Sequence, residues 1–88
     1  MADVTLTLLG KPGCHLCDEA KVVVDRVAAG LTAEGRAVQV VERSILDDPD
    51  LERRFHDDIP VVLLNGEVHG RWRFDADRLR SAVMSAAR

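Results

Sequence analysis

Val4-Thr5-Leu6-Thr7-Leu8-Leu9-Gly10-Lys11-Pro12-Gly13-Cys14-His15-Leu16-Cys17 decides how this chain folds, because its periodicity changes within a few residues. Val4, Leu6 and Leu8 alternate with other residues, the period-2 pattern of a strand with one buried face. Gly10-Lys11-Pro12-Gly13 breaks that pattern, since two glycines and a proline punctuate strongly. From Cys14 the period is helical. Cys17, Ala20, Val24, Val27 and Leu31 fall at i, i+3, i+7, i+10 and i+14, a single apolar stripe. Asp18 and Glu19 occupy the first turn, where carboxylates suit the helix dipole. Gly30 and Gly35 mark the expected exit.

Downstream, Arg36–Arg43 carries Val38, Val40 and Val41 and reads as a second strand. Asp48 as N-cap and Pro49 at the first helical position predict a short helix that buries Leu51 and Phe55 and ends near His56. Val61-Val62-Leu63-Leu64 is a third strand, apolar on both faces, which suits a central position covered on both sides. Asn65-Gly66 signals a type I′ hairpin turn, with Glu67–Arg71 as the returning strand. Asp75 can cap a last helix with Leu79, Val83 and Ala86 inward. The order β-α-β-α-β-β-α predicts an α/β fold. A parallel pair comes from the first β-α-β unit, an antiparallel hairpin follows, and helices flank a four-stranded mixed sheet.

The composition bounds the function. A chain of 88 residues has room for one domain, here residues 1–88. At 47% hydrophobic and 31% charged it is globular rather than disordered. A net charge of -3, from 12 basic and 15 acidic residues, argues against nucleic acid as a partner. The aromatics are Phe55, Trp72 and Phe74, too few for base-stacking platforms. A membrane-spanning helix needs about 20 apolar residues, and the longest unbroken aliphatic run is Val61–Leu64. Met1-Ala2-Asp3-Val4 lacks a basic, apolar leader pattern. These features lead us to expect a cytoplasmic protein with no membrane partner, working as a monomer.

Two cysteines, Cys14 and Cys17, remain to be explained. A bridge across three positions closes almost no loop, so it would add little stability through chain entropy. Chemistry is the better reason for the pair. A C-x-x-C motif that follows a strand and opens a helix within a β-α-β unit is the context of redox-active cysteines. Only a thiolate attacks a disulfide. The first cysteine lies where unsatisfied N–H groups and the dipole favour negative charge. Lys11 lies three residues earlier and adds a cation, as does His15 when protonated; Gly13 leaves room for substrate beside the sulfur. Cys14 is thus the expected nucleophile. Cys17, one turn further on, is the expected resolving thiol. The acids Asp18 and Glu19 oppose thiolate formation, so the sign of the net shift at Cys14 stays open. Two alternatives also stay open. Cys14, Cys17, His56 and His69 could be nominated as zinc ligands, though no paired His motif is present. Cys17 could equally be a small core residue. Elsewhere, His69 is expected to be an exposed strand residue, and Arg53 and Arg54 a solvated helix face. Trp72 with Arg71 and Arg73 reads equally as a partner-binding rim or as a cover for the sheet end.

The segments Lys11-Pro12-Gly13-Cys14-His15-Leu16-Cys17-Asp18-Glu19-Ala20, Ile59-Pro60-Val61-Val62 and Asn65-Gly66-Glu67, in this order and spacing, resemble the glutaredoxin-like branch of the thioredoxin superfamily. The nearest likeness is to short bacterial members with a C-x-L-C site. The resemblance implies a thioredoxin fold and thiol–disulfide exchange through Cys14 and Cys17, with no bound organic cofactor. It implies that Pro60 is cis and packs against the active site, and that the backbone of Ile59 pairs with bound peptide or glutathione. The substrate would be a protein or small-thiol disulfide. The donor would be glutathione, another low-molecular-weight thiol or a thioredoxin-reductase-type enzyme. Two other functions stay open. One is an iron–sulfur or metal carrier using Cys14, as some glutaredoxin-like proteins hold a cluster through the first cysteine. The other is a non-catalytic interaction domain that kept the fold, because fold alone does not fix function. Departures bear on glutathione. Family members usually have C-P-Y-C and a Gly-Gly-x-Asp segment after the last strand. Here His15-Leu16 and Gly70-Arg71-Trp72-Arg73-Phe74-Asp75-Ala76-Asp77 stand instead, with Asp75 or Asp77 available as the acid. Weak glutathione turnover is therefore expected.

Overall fold

Seven main elements follow the predicted order in the computed structural model, which describes residues 4–86. Met1–Asp3, part of the chain start inspected for a leader, and Ala87–Arg88 lie outside the described residues. The elements are β1 (Val4–Gly10), α1 (His15–Ala33), β2 (Val38–Ser44), α2 (Pro49–Phe55), β3 (Val61–Leu64), β4 (Glu67–Arg71) and α3 (Ala76–Ala86). The sheet order is β2-β1-β3-β4. β1 runs parallel to β2, from Val4↔Val38 to Gly10↔Ser44. It runs antiparallel to β3, from Leu6↔Leu64 to Leu9↔Val61. β3 and β4 form the antiparallel hairpin around Asn65-Gly66, whose φ values of 51° and 89° are those a type I′ turn needs. Asn65 also ties the turn to β1: its backbone N–H donates to the Thr5 carbonyl, and its Oδ1 accepts from the Thr5 N–H at 2.8 Å.

Strand alternation divides the core into two layers. Val4, Leu6 and Leu8 of β1 and Val62 of β3 face α1 and α3, where they meet Ala20, Val24, Val27, Leu31, Leu79 and Val83. Leu9 and Val61 point the other way, onto Ile45, Leu51 and Phe55. β3 thus contributes to both layers, as expected of a doubly apolar inner strand. The stripe predicted for α1 is buried along its whole length.

Helix ends follow local chemistry. Asp48 Oδ1 accepts from the Asp50 N–H at 2.9 Å and caps α2. Asp75 Oδ1 accepts from the N–H groups of Asp77 and Arg78 and caps α3. α1 closes with Gly35 at φ +88°, where its N–H reaches the Thr32 carbonyl and that of Arg36 the Leu31 carbonyl. These two bonds define a Schellman stop.

Several expectations are corrected. Gly30 lies inside α1, at an exposed position where nothing approaches within 4 Å. The burial of Ala28 and Leu31 on either side outweighs its helix penalty of about 1 kcal/mol. β2 begins at Val38, two residues later than expected. A 3-10 turn at Ile45–Asp47 was not foreseen; Ser44 Oγ starts it by accepting from the Leu46 N–H, and it buries Ile45. Ala86 is exposed, because α3 buries only Leu79 and Val83. His69 is half-buried rather than exposed, at the register shift opposite Val62/Leu63, with its ring stacked on Phe74.

Candidate active site

β1 delivers the chain to the motif, and the loop Lys11–Gly13 lets it turn. Gly13 has φ +76°, a conformation open to glycine at little cost, and a Cβ there would meet nothing within 4 Å. The next residue, Cys14, is the N-cap of α1. Its Sγ accepts the Cys17 N–H at 3.2 Å. Sulfur therefore takes the place that a Ser or Asp oxygen takes in an ordinary N-cap. That position presents unsatisfied N–H groups and the positive end of a 19-residue helix to the sulfur. Both favour a thiolate over a thiol.

Cys14 and Cys17 are joined as a disulfide, with their Cα atoms 5.2 Å apart. Their environments differ. Cys14 is half-exposed, whereas Cys17 is 7% exposed on the inner stripe of α1. The strand end presses directly on the buried sulfur. A Cβ built on Gly10 would lie 3.0 Å from Cys17 Sγ and 3.1 Å from its Cβ. Gly10 is thus a site residue that sequence reasoning passed over as a mere breaker. A strand glycine directly ahead of the motif was the available signal, since such glycines mark close backbone approach.

The proline enters from β3. Leu9 pairs with Val61, the first residue of β3, so Pro60 immediately precedes the strand at the Gly10 end of β1. The Ile59–Pro60 bond is cis, and Pro60 is fully buried. Ile59 is half-buried and packs on the Leu9–Ile45–Phe55 layer. Lys11 is exposed and stands between two cavities. One, about 340 Å³, reaches Cys17 and is walled by Asp18, Lys21 and Glu42; the other, about 420 Å³, runs over Leu46, Arg53 and His56. His15 is exposed at the first helical position. The fold therefore gathers Lys11, Gly13, His15, Cys14 and Cys17 on one loop–helix junction, with Pro60 across the sheet.

It does not gather the nominated zinc ligands. Among the described residues, no three His, Cys, Asp or Glu side chains come together as a metal site. His56 pairs with Asp57 at 3.1 Å, and His69 lies against Phe74. Arg53 and Arg54 both reach Asp50 within their own helix.

Trp72 was a second omission from the candidate site residues. It directly follows β4 with φ 67°, a left-handed conformation that costs a bulky residue of order 1–3 kcal/mol. Two hydrogen bonds hold it there. Its backbone N–H donates to the Pro60 carbonyl at 2.8 Å, and its indole N–H to the Asp57 carbonyl at 3.3 Å. Beside it, Arg71 pairs with Asp58 at 3.5 Å. The segment bearing Pro60 is thus clamped by the end of β4. No sequence signal announces a left-handed tryptophan.

Comparison with known proteins agrees with this geometry. The Glutaredoxin-like domain (DUF836) family matches residues 5–84. The chain belongs to this family and is a glutaredoxin-like member of the thioredoxin superfamily. It is 29% identical over 83 residues to an uncharacterized protein of Mycobacterium tuberculosis, covering 94% of this chain and 86% of that one. A structural-genomics target protein from X. campestris, solved in solution, is 32% identical with TM-score 0.70, covering 97% and 95% of the two chains. A thioredoxin from Halobacterium salinarum shares the fold at 20% identity and TM-score 0.69, over 99% of this chain and 77% of that one. No helix among the described residues is long and apolar enough to cross a membrane.

Proposed function

We propose that this protein is a dithiol–disulfide oxidoreductase, with Cys14 as nucleophile and Cys17 as resolving thiol. The observation that carries the reading is the placement of Cys14 Sγ. It is half-exposed, caps α1, and is bridged to a buried Cys17 one turn along. In the reduced protein the Cys14 thiolate attacks one sulfur of a substrate disulfide. A mixed disulfide forms and the other substrate sulfur leaves as a thiolate. Cys17, losing its proton, then attacks Cys14 Sγ. This closes the Cys14–Cys17 disulfide and expels the second substrate thiolate. Two electrons pass from the protein dithiol to the substrate, and an external thiol or reductase returns them. Lys11 and His15 supply positive charge beside the nucleophile, Gly13 keeps its approach open, and the Ile59 backbone with Pro60 forms the facing wall.

The substrates are protein or small-thiol disulfides, and the working form is a monomer in the reducing cytoplasm, with no resident cofactor. Thiol labelling before and after diamide oxidation tests the reading. Two thiols should disappear together and return together on reduction, whereas full labelling after diamide would refute it. Cys14→Ser should abolish disulfide reduction. Cys17→Ser should still attack and leave a trapped mixed disulfide, visible by mass. Equal alkylation rates for the two reduced thiols at neutral pH would count against the division of roles.

A further inference from the structure

The end of β4 keeps an aromatic ring in water. Trp72 is 51% exposed, whereas Phe55 is buried and Phe74 half-buried; the other large apolar side chains left exposed, Val22, Leu46 and Val68, are aliphatic. Its backbone and indole N–H groups are both spent on the Pro60 segment, so the ring is held and not free to swing. A cavity of about 320 Å³ lies beside it, between Trp72, Arg73 and Phe74 on one side and Glu19, Ala20 and Val23 of α1 on the other. Ala20 is one turn beyond Cys17 on the same helix, so this cavity lies along the α1 face that follows the cysteine motif. Arg73 and Phe74 also wall a neighbouring groove of about 560 Å³, completed by His69, Arg71, Asp75 and Arg78.

The charge of that groove runs against the chain as a whole. Three arginines face one carboxylate there, in a protein of net charge -3. The one carboxylate, Asp75, already accepts two N–H groups at the start of α3. Arg71 has Asp58 as a partner, while Arg73 and Arg78 pair with no carboxylate among the described residues. Burial and the nearby Arg78 both hold the His69 imidazole below its usual pKa. A rigid, half-exposed indole next to Arg73, with Arg78 on the adjoining groove, has the chemistry of an interface anchor. Trp and Arg dominate binding hot spots, and guanidinium pairs with carboxylates in a directed fork.

We infer that Trp72, Arg73 and Arg78 form a docking lip that selects protein disulfides lying in extended, acidic segments. The client chain crosses the Pro60 wall, lays an apolar side chain on the Trp72 ring and sets carboxylates on Arg73 and Arg78. The inference rests on the oxidoreductase reading and names its substrate class. Docking itself can be measured without any redox step, because Trp72 is the only tryptophan and the chain has no tyrosine.

The test uses the full, oxidised protein and two short peptides with a central serine in place of cysteine. Glutamates flank the serine in one peptide and lysines in the other. The glutamate peptide should shift Trp72 emission and bind about fivefold more tightly or better at low ionic strength, with the gap narrowing as salt rises. Arg73→Glu combined with Arg78→Glu, both at exposed positions, should reverse the preference. Equal binding of the two peptides, or a preference that survives the double reversal, overturns the lip. A parallel arm gives the reduced protein the matching disulfide peptides. Charge-selective docking without reduction of either peptide would sink the oxidoreductase reading and leave the lip standing. Equal docking with equally fast reduction would do the opposite.

Discussion

At the scale of single residues, the site depends on what is missing as much as on what is present. Gly10 has no side chain, and Cys17 occupies the space that one would fill. Gly10→Ala should force the buried sulfur or the strand end to move by a few tenths of an ångström. Overpacking of this kind costs about 1–3 kcal/mol, and urea denaturation should show that loss. Gly13→Ala makes a useful contrast, since space is open there and only the positive φ is penalised. The residues around the cysteines also bear on glutathione. His15-Leu16 replaces the usual proline and aromatic, and the glycine pair after the last strand is absent. Asp75, one of the acids available to replace the family contact, is committed to capping α3. Each missing polar contact costs roughly 1–3 kcal/mol in binding. Turnover in a glutathione-coupled disulfide assay should therefore fall on the order of a hundredfold below that of a typical glutaredoxin. Robust activity at micromolar enzyme would contradict this.

Elements carry the next level of control, and their ends matter most. α1 starts on the Cys14 sulfur and stops on a Schellman glycine, so its register relative to β1 is set from both ends. α3 begins on Asp75, whose Oδ1 accepts from two backbone N–H groups at 2.8 and 3.2 Å. Two buried side chains, Leu79 and Val83, attach α3 to the core. Asp75→Ala should cost about 1 kcal/mol of stability, the typical value for a lost N-cap, and Asp75→Asn much less. Thermal melts of the two variants provide the check. Because Asp75 also borders the groove of Arg73 and Arg78, Asp75→Asn leaves the cap in place while removing the one carboxylate from that groove.

For the molecule as a whole, acid should be the weakening condition. His69 sits below its ordinary pKa, first because it is partly buried and then because of Arg78. The unfolded chain therefore takes up that proton before the folded one does. The stability this residue contributes is present above pH 6.5 and is lost as pH falls toward its folded pKa. Glu34 adds a second step in the same direction. Its hydrogen bond from Arg80, at 2.7 Å, holds its carboxyl below 4.5, so that contribution disappears at lower pH still. Lys21 acts at the other extreme. Asp25 and Glu42 raise its pKa, so its contribution persists through neutral pH and is lost above about 10.5. Urea midpoints measured between pH 7 and 5 should fall for the wild type, and less steeply for His69→Gln. Parallel slopes would show that His69 is not the group responsible.

Element order, the C-x-x-C context, the caps at Asp48 and Asp75 and the hairpin at Asn65-Gly66 were all legible in the sequence. Each rests on short-range chemistry: side-chain periodicity, a carboxylate reaching its own helix, or a glycine free to take positive φ. The resemblance to glutaredoxin-like proteins added the cis Ile59–Pro60 bond, which periodicity cannot reveal. Local patterns also misled at Gly30, where the pull of neighbouring buried residues overrode an apparent stop, and at Ala86, which points away from a narrow contact. Only the tertiary structure decided the rest. The strand register brings Pro60 to the Gly10 end of β1, and chain folding presses Gly10 against Cys17. Two hydrogen bonds that Trp72 donates to carbonyls of a distant loop hold it left-handed and exposed. These features join residues far apart in the chain, so their energies belong to contacts that no local stretch of sequence contains.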